Sequence, residues 1–237
     1  MSQETTKTFS GNSAGPYISL TRIQKLIGER MLQSKMSKPC FYIELKADVT
    51  ELMGLRPRLR KSLGVKITTD AFYVRALAMA VKKYPLMLGR IDGDSIKIPD
   101  SINVGFAVNA PQGLVVPVIK DADRKTLAEI ASLEQTLTEK ARDDKLTLDE
   151  MEGETIALSN LGAYGIDSFL GIVPLPTSVI LAVGNVNREN VPMDGKPVER
   201  KMVSLSLAVD RSVIDEVYAA KFLNTICEQL QNPQELV

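Results

Sequence analysis

The stretch Leu205-Ser206-Leu207-Ala208-Val209-Asp210-Arg211-Ser212-Val213-Ile214-Asp215-Glu216, continuing as Val217-Tyr218-Ala219-Ala220-Lys221-Phe222-Leu223, decides the fold. Apolar residues alternate up to Val209, which predicts a strand. Polar residues then interrupt the pattern. From Val213 the spacing becomes helical, with Ala219, Phe222, Leu223, Ile226, Cys227 and Leu230 along one face until Asn232-Pro233 ends the helix. A strand that turns straight into a helix lifts a few side chains clear of the sheet, and here they are Asp210, Arg211, Asp215 and Glu216.

Working outward, Val198–Val209 reads as a long strand preceded by the turn Met193-Asp194-Gly195-Lys196-Pro197, with further strands expected at Val179–Val183 and Thr155–Leu158. Thr126 is placed to cap a long amphipathic helix ending near Arg142, and Leu148–Met151 reads as a short helical turn. Ile102–Val108 and Leu114–Ile119 read as strands joined by the turn residues Asn109–Gly113, and Asp92-Gly93-Asp94 as a hairpin turn. Thr68 or Thr69 begins a helix, apolar nearly all round, that Tyr84-Pro85 terminates near Lys83. Thr50–Lys61 is expected to be helical with a break or kink at Pro57. Cys40–Val49 alternates as a strand, and Thr21 begins a helix to about Lys35 with an apolar stripe of Ile23, Ile27 and Met31. Residues 1–15 are polar and read as a flexible arm; residues 16–237 contain no linker and read as one domain. Irregularly interleaved strands and helices imply an α/β (α+β) protein, a mixed central sheet with packed helices.

Lys+Arg and Asp+Glu both number 29 in 237 residues, so the net charge is zero and nothing points to nucleic acid or an anionic membrane. No run is long and apolar enough to span a bilayer, and the expected compartment is the cytoplasm, or the mitochondrial matrix if the source is eukaryotic. Cys40 and Cys227 read as buried reduced thiols. Histidine is absent altogether. That excludes Ser-His-Asp and Cys-His sites and the common zinc sites, and removes the usual general base near neutral pH.

Several ungapped blocks resemble the dihydrolipoamide acyltransferases, the core subunits of 2-oxoacid dehydrogenase complexes. Ile18–Met31 is similar to that family's opening helix, Asp121–Ile130 to its Asp-Ala-Asp-x-Lys-Ser-Leu-x-Glu-Ile, Ala141–Leu146 to Ala-Arg-x-x-Lys-Leu, and Leu158–Phe169 to Ile-Ser-Asn-Leu-Gly-x-x-Gly-x-Asp-x-Phe. The active-site segment of the family reads Asp-His-Arg-x-x-Asp-Gly. In this chain Asp210 and Asp215 match, while Arg211 replaces the histidine, Ser212 the arginine and Glu216 the glycine. Cys40 and Leu88 stand where the family often has His and Asn.

The resemblance implies a chloramphenicol acetyltransferase-like fold and a homotrimer or larger cage, with other 2-oxoacid dehydrogenase components or an active paralogue as partners. It also implies acyl transfer between coenzyme A and a dihydrolipoyl thiol, both as substrates, with no covalently bound cofactor. In the family's site a histidine takes the thiol proton, and a serine from the neighbouring subunit hydrogen-bonds the tetrahedral oxyanion. Carried over, Ser159 is the oxyanion serine, Asp215 the aspartate that holds local geometry, and Arg211 the occupant of the base position. The family's N-terminal lipoyl domain has no counterpart in these residues, and the arm is where one would join.

A guanidinium stays protonated and has no lone pair to accept a proton. Two readings therefore stand: a core-forming, catalytically impaired member of the family, or an active coenzyme A-dependent acyltransferase using a non-His base such as Glu216 or Asp210, or a different acceptor. From the residues alone, Ser159 bonding its own turn, Asp215 as a helix-terminal carboxylate, an Arg211–Asp215 ion pair and a solvated Glu216 are the plain alternatives.

Overall fold

The computed structural model describes residues 17–237; the arm expected at residues 1–15 lies outside them. Helix α1 (Arg22–Ser37) leads into strand β1 (Cys40–Asp48), then α2 (Thr50–Leu63) and α3 (Thr69–Lys83). The hairpin β2 (Arg90–Asp92) and β3 (Ser95–Lys97) follows, turning through Gly93-Asp94. Next come β4 (Val104–Phe106), β5 (Val108–Ala110), β6 (Gly113–Val115), β7 (Val118–Ile119), α4 (Leu127–Arg142), α5 (Leu148–Met151) and β8 (Ile156–Asn160). The chain ends with β9 (Val179–Met193), β10 (Lys196–Asp210) and α6 (Glu216–Gln231).

Threonines start the helices as their sequence positions suggest. The Thr21 hydroxyl accepts from the Gln24 N–H, Thr68 from Ala71 and Thr126 from Glu129, and the first and last are full capping boxes. Each such cap is worth about 1 kcal/mol. Asp215 does the same for α6, accepting from the Tyr218 N–H at 2.8 Å. α3 is the central helix, with Phe72, Tyr73 and Leu77 fully buried. α2 runs unbroken through Pro57, contrary to the expected break. Pro57 lies on the exposed side of the helix, away from the core packing of Leu52, Leu55 and Leu59.

Six strands form a mixed sheet in the order β1-β10-β9-β8-β4-β7. β8 is parallel to both β4 and β9, and the remaining neighbours are antiparallel. The two strands expected at 102–108 and 114–119 are each divided: β4 and β7 join the main sheet, while β5 and β6 form a separate hairpin. β9 runs ten residues beyond the expected Val183, because β10 pairs with its polar half as far as Met193.

The two faces of the sheet differ. Ile156, Leu158, Leu181, Leu205 and Leu207 face α3, α4 and α6 in the large core. Ala157, Ile180 and Ala208 face the other way, into a small cluster with Val173 and Cys40. This second face is thinly covered. Ser34 of α1 donates to the Val173 carbonyl, and Lys38 donates to the carbonyls of Pro174 and Thr177. The outer side of α1 carries Leu26, Leu32 and Met36 at 51%, 61% and 80% exposure, apolar surface with nothing against it among the described residues.

Candidate active site

Alternation along β8 puts Ser159 on the face of Ala157 and Asn160 on the face of Leu158, toward α3. Ser159 lies at the C-terminal end of the strand, lining a cleft of about 190 Å³ with Asn160, Tyr164, Asp70, Glu134 and Arg142. Its hydroxyl makes no hydrogen bond to a described residue. The turn bond expected of it is made by its neighbour: the Asn160 side-chain oxygen accepts from the Gly162 N–H at 2.8 Å. The turn lies against β9 so closely that a Cβ on Gly162 would sit 2.5 Å from the Gly184 carbonyl oxygen, and one on Gly184 would sit 1.8 Å from that of Asp167. Leu161 N–H donates to the Val183 carbonyl at 3.1 Å, and Asn185 N–H to Ile166 at 2.7 Å.

The second part of the site is the corner after β10. Asp210 is buried; its carboxylate accepts from the Ser212 N–H at 3.0 Å, and its carbonyl accepts from Val213 and Ile214. These bonds close a turn over residues 211–215, so α6 starts at Glu216 instead of Val213. Arg211 projects from this turn. Its Nε donates to Glu216 Oε1 at 2.8 Å, with both side chains more than half exposed. The expected Arg211–Asp215 pair is not formed, because Asp215 is committed to capping α6.

Glu216's own N–H, and then Arg211, hold its carboxyl below the usual carboxylate range. It stays ionised but is a weak proton acceptor. Beside the corner, burial pushes the Cys40 thiol pKa up and the Lys38 ammonium pKa down, the latter against the pull of Asp210. Cys40 is only half buried, unlike Cys227, whose thiol burial pushes up to about 12. Neither is a ready thiolate. Leu88 lies in the core at 2% exposure and contributes no polar group.

The chain does not bring Ser159 and Arg211 together. Ser159 is level with Ala182 of β9, and Ala182 with Ser206 of β10, five residues short of Arg211. At the rise of a strand that is about 16 Å along the sheet, with two strand spacings besides. Sequence reasoning named Ser159 and did not single out Asp70, Glu134 and Asn160, which line the same cleft. A signal existed for Glu134: it falls four residues after Ile130 and three before Leu137, on the apolar stripe of α4.

Comparison with known proteins bears on both parts. Residues 14–237 match the family described as 2-oxoacid dehydrogenases acyltransferase (catalytic domain). The chain is 33% identical over 224 residues to the dihydrolipoyllysine-residue succinyltransferase component of the 2-oxoglutarate dehydrogenase complex of Haemophilus influenzae, covering 93% of this chain and 55% of that protein. It is also 33% identical over 232 residues to the mitochondrial pyruvate dehydrogenase protein X component of Mus musculus, covering 95% and 46%. It thus spans about half the length of these relatives.

Among solved structures, the dihydrolipoamide acetyltransferase of Azotobacter vinelandii, in whose catalytic mechanism a serine, a histidine and an asparagine have been investigated, superposes with TM-score 0.89 at 29% identity, covering 97% of this chain and 99% of that one. The cubic core of a pyruvate dehydrogenase multienzyme complex superposes equally well, with the same identity and coverage. Chloramphenicol acetyltransferase, at TM-score 0.53 and 15% identity over 85% of this chain and 94% of that one, shares the fold. Ser159 and Arg211 thus stand on a shared scaffold, and the chain belongs to the 2-oxoacid dehydrogenase acyltransferase family, matching its catalytic domain.

Proposed function

We propose that this chain is a core-forming member of the family, assembling in threes, whose own acyl transfer is impaired. The observation that carries the reading is the Arg211–Glu216 ion pair, at the position where the motif resemblance puts the general base. Transfer between coenzyme A and a dihydrolipoyl thiol needs the attacking thiol to lose a proton as its sulfur reaches the thioester carbonyl. Arg211 cannot accept that proton. Glu216, with its lowered pKa, accepts it poorly. Ser159 keeps a hydroxyl that is unpaired among the described residues and would still stabilise the oxyanion. Losing a general base costs roughly two to four orders of magnitude in rate, so slow residual transfer is expected.

Assembly is supported by the geometry of a single chain. The two parts of the site lie too far apart to act on one atom unless Ser159 of one copy meets Arg211 of the next. The uncovered Leu26, Leu32 and Met36 offer apolar surface for such a contact. The kinship with complex components supports other 2-oxoacid dehydrogenase subunits, or an active paralogue, as partners of such a core. Two unbridged cysteines suit a reducing compartment, the cytoplasm or the mitochondrial matrix.

The test is transfer from acetyl-CoA to free dihydrolipoamide by the intact protein. The expected rate lies far below the roughly 10 s⁻¹ typical of enzymes, and Glu216→Gln leaves it unchanged. Turnover near that value, abolished by Glu216→Gln, would overturn the reading and give the base role to Glu216.

A further inference from the structure

The residue after Ser159 is held from two sides. The Asn160 side-chain oxygen takes the Gly162 N–H, and its amide nitrogen donates to Asp70 Oδ1 at 2.5 Å. This pairing fixes the orientation of the amide, because a flip would set its N–H₂ against an N–H and its oxygen against a carboxylate. Asp70 is in the first turn of α3. The N-cap of that helix, Thr68, is held in turn by α4, its hydroxyl donating to Glu134 Oε2 at 2.6 Å. A polar chain thus runs from α4 through the start of α3 to the turn beyond β8.

We propose that Asp70 is a positioning residue for the Ser159 hydroxyl, acting through Asn160, with Thr68 and Glu134 as its support. This rests on the reading that Ser159 stabilises the oxyanion. The Ser159 hydroxyl has no partner among the described residues, so its placement follows the backbone on which it sits. That backbone leaves the sheet at Asn160. Beyond that point the Leu161 bond to β9 and the Asn160 bond to Gly162 are strand-side fixings. Asp70 ties the same turn to the helical layer. An oxyanion donor works only within a few tenths of an ångström of its place, so this tie bears on rate.

The choice of residue argues the same way. Burial raises the pKa of both Asp70 and Glu134, Asp70 also raising Glu134, so each carboxylate is held at a cost in stability. Simple packing between α3, α4 and β8 would be served as well by apolar side chains of similar volume.

The experiment measures residual acyl transfer above a protein-free blank, and hydrogen exchange of the Gly162 amide, in the intact protein. Ser159→Ala is expected to lower the residual rate by about 10²-fold. Asp70→Ala should lower kcat roughly tenfold with KM unchanged and expose the Gly162 amide to exchange. Asp70→Asn should keep both near wild type, since its amide oxygen accepts the same bond from Asn160. The double variant Ser159→Ala/Asp70→Ala should be no slower than Ser159→Ala, because both act through one hydroxyl.

Wild-type Gly162 protection in Asp70→Ala overturns the proposal whatever the rates. So does an additive double variant. A slow Ser159→Ala beside a wild-type Asp70→Ala rate defeats the proposal and leaves the oxyanion reading standing. Wild-type transfer by Ser159→Ala defeats both. If Asp70→Ala fails to fold, Asp70→Leu cuts the same tie at similar volume and leaves the Asn160–Gly162 bond in place, with the same outcomes expected.

Discussion

Replacing Gly184 with alanine tests how tightly the Ser159 turn is built. The added Cβ would lie 1.8 Å from the Asp167 carbonyl oxygen and 2.6 Å from its carbon, both backbone atoms. Ordinary contact begins at 3.4 Å, so residues 166–167 must retreat by about 1.6 Å. That retreat breaks the 2.7 Å bond from Asn185 N–H to the Ile166 carbonyl. Overpacking costs about 1–3 kcal/mol and a lost hydrogen bond about 1 kcal/mol, giving roughly 2–4 kcal/mol. In a domain of this size that lowers the melting midpoint by roughly 4–16 °C. Thermal melts at one fixed protein concentration measure it, because assembly also sets the midpoint. Hydrogen exchange at Asn185 reports the local break. Gly54→Ala is the control: nothing lies within 4 Å of its Cβ, and in mid-helix alanine should gain up to about 1 kcal/mol. A Gly184→Ala protein melting within a degree of wild type, with Asn185 still protected, would refute the close approach of these two segments.

Arg211→His combined with Glu216→Gly should restore a base and raise transfer by about 10²-fold or more, and adding Ser159→Ala should remove most of that gain; steady-state rates with acetyl-CoA and dihydrolipoamide decide. The Arg211–Glu216 pair is exposed and breaking it should cost little, so the same variant should melt close to wild type. Glu134 has a folded pKa raised above its unfolded value, chiefly by burial, so its contribution to stability is full below the unfolded pKa and is lost as pH rises through the folded one. Glu134→Gln should therefore melt above wild type at neutral pH, and the difference should vanish below about pH 4 in a melt series. Light scattering should give a trimer or a multiple of three, and Leu32→Asp with Met36→Lys should lower that mass while the far-ultraviolet circular dichroism of the chain is kept.

Much of the fold was legible because local signals agreed with tertiary demands. Thr21, Thr68 and Thr126 cap the helices their positions announce, and the nearly all-apolar run after Thr69 is the buried α3. Legibility failed where a partner strand overrides the local pattern. Residues 185–190 are mostly polar and do not alternate, yet β10 pairs with the strand as far as Met193. Ala107 breaks an apparently continuous strand, since its N–H goes to the Leu158 carbonyl as the chain passes from the main sheet to the β5–β6 hairpin. At the candidate site, the motif spacing pointed to Ser159 and to the strand-to-helix corner at Asp210–Glu216. It did not reveal that Glu216, and not Asp215, would pair with Arg211, because the i+4 rule presumes a helix already running at Arg211, where the chain still turns. Asp70 and Asn160 are 90 residues apart, and no local pattern reports such a pair.

The pairing of β1 with β10 has a consequence for synthesis. Asp48 meets Met202 and Cys40 meets Asp210, so β1 waits for β10, which is made long after it. At 5–20 residues per second the ribosome leaves that edge unpaired for roughly 8–34 s, while Phe41, Ile43 and Leu45 have no sheet to join. β9 cannot fill the gap, since it lies beyond β10 in the sheet order. The nascent chain thus carries an open apolar strand until almost its last helix, and that interval is when a chaperone would be needed and when two chains on one message could pair wrongly.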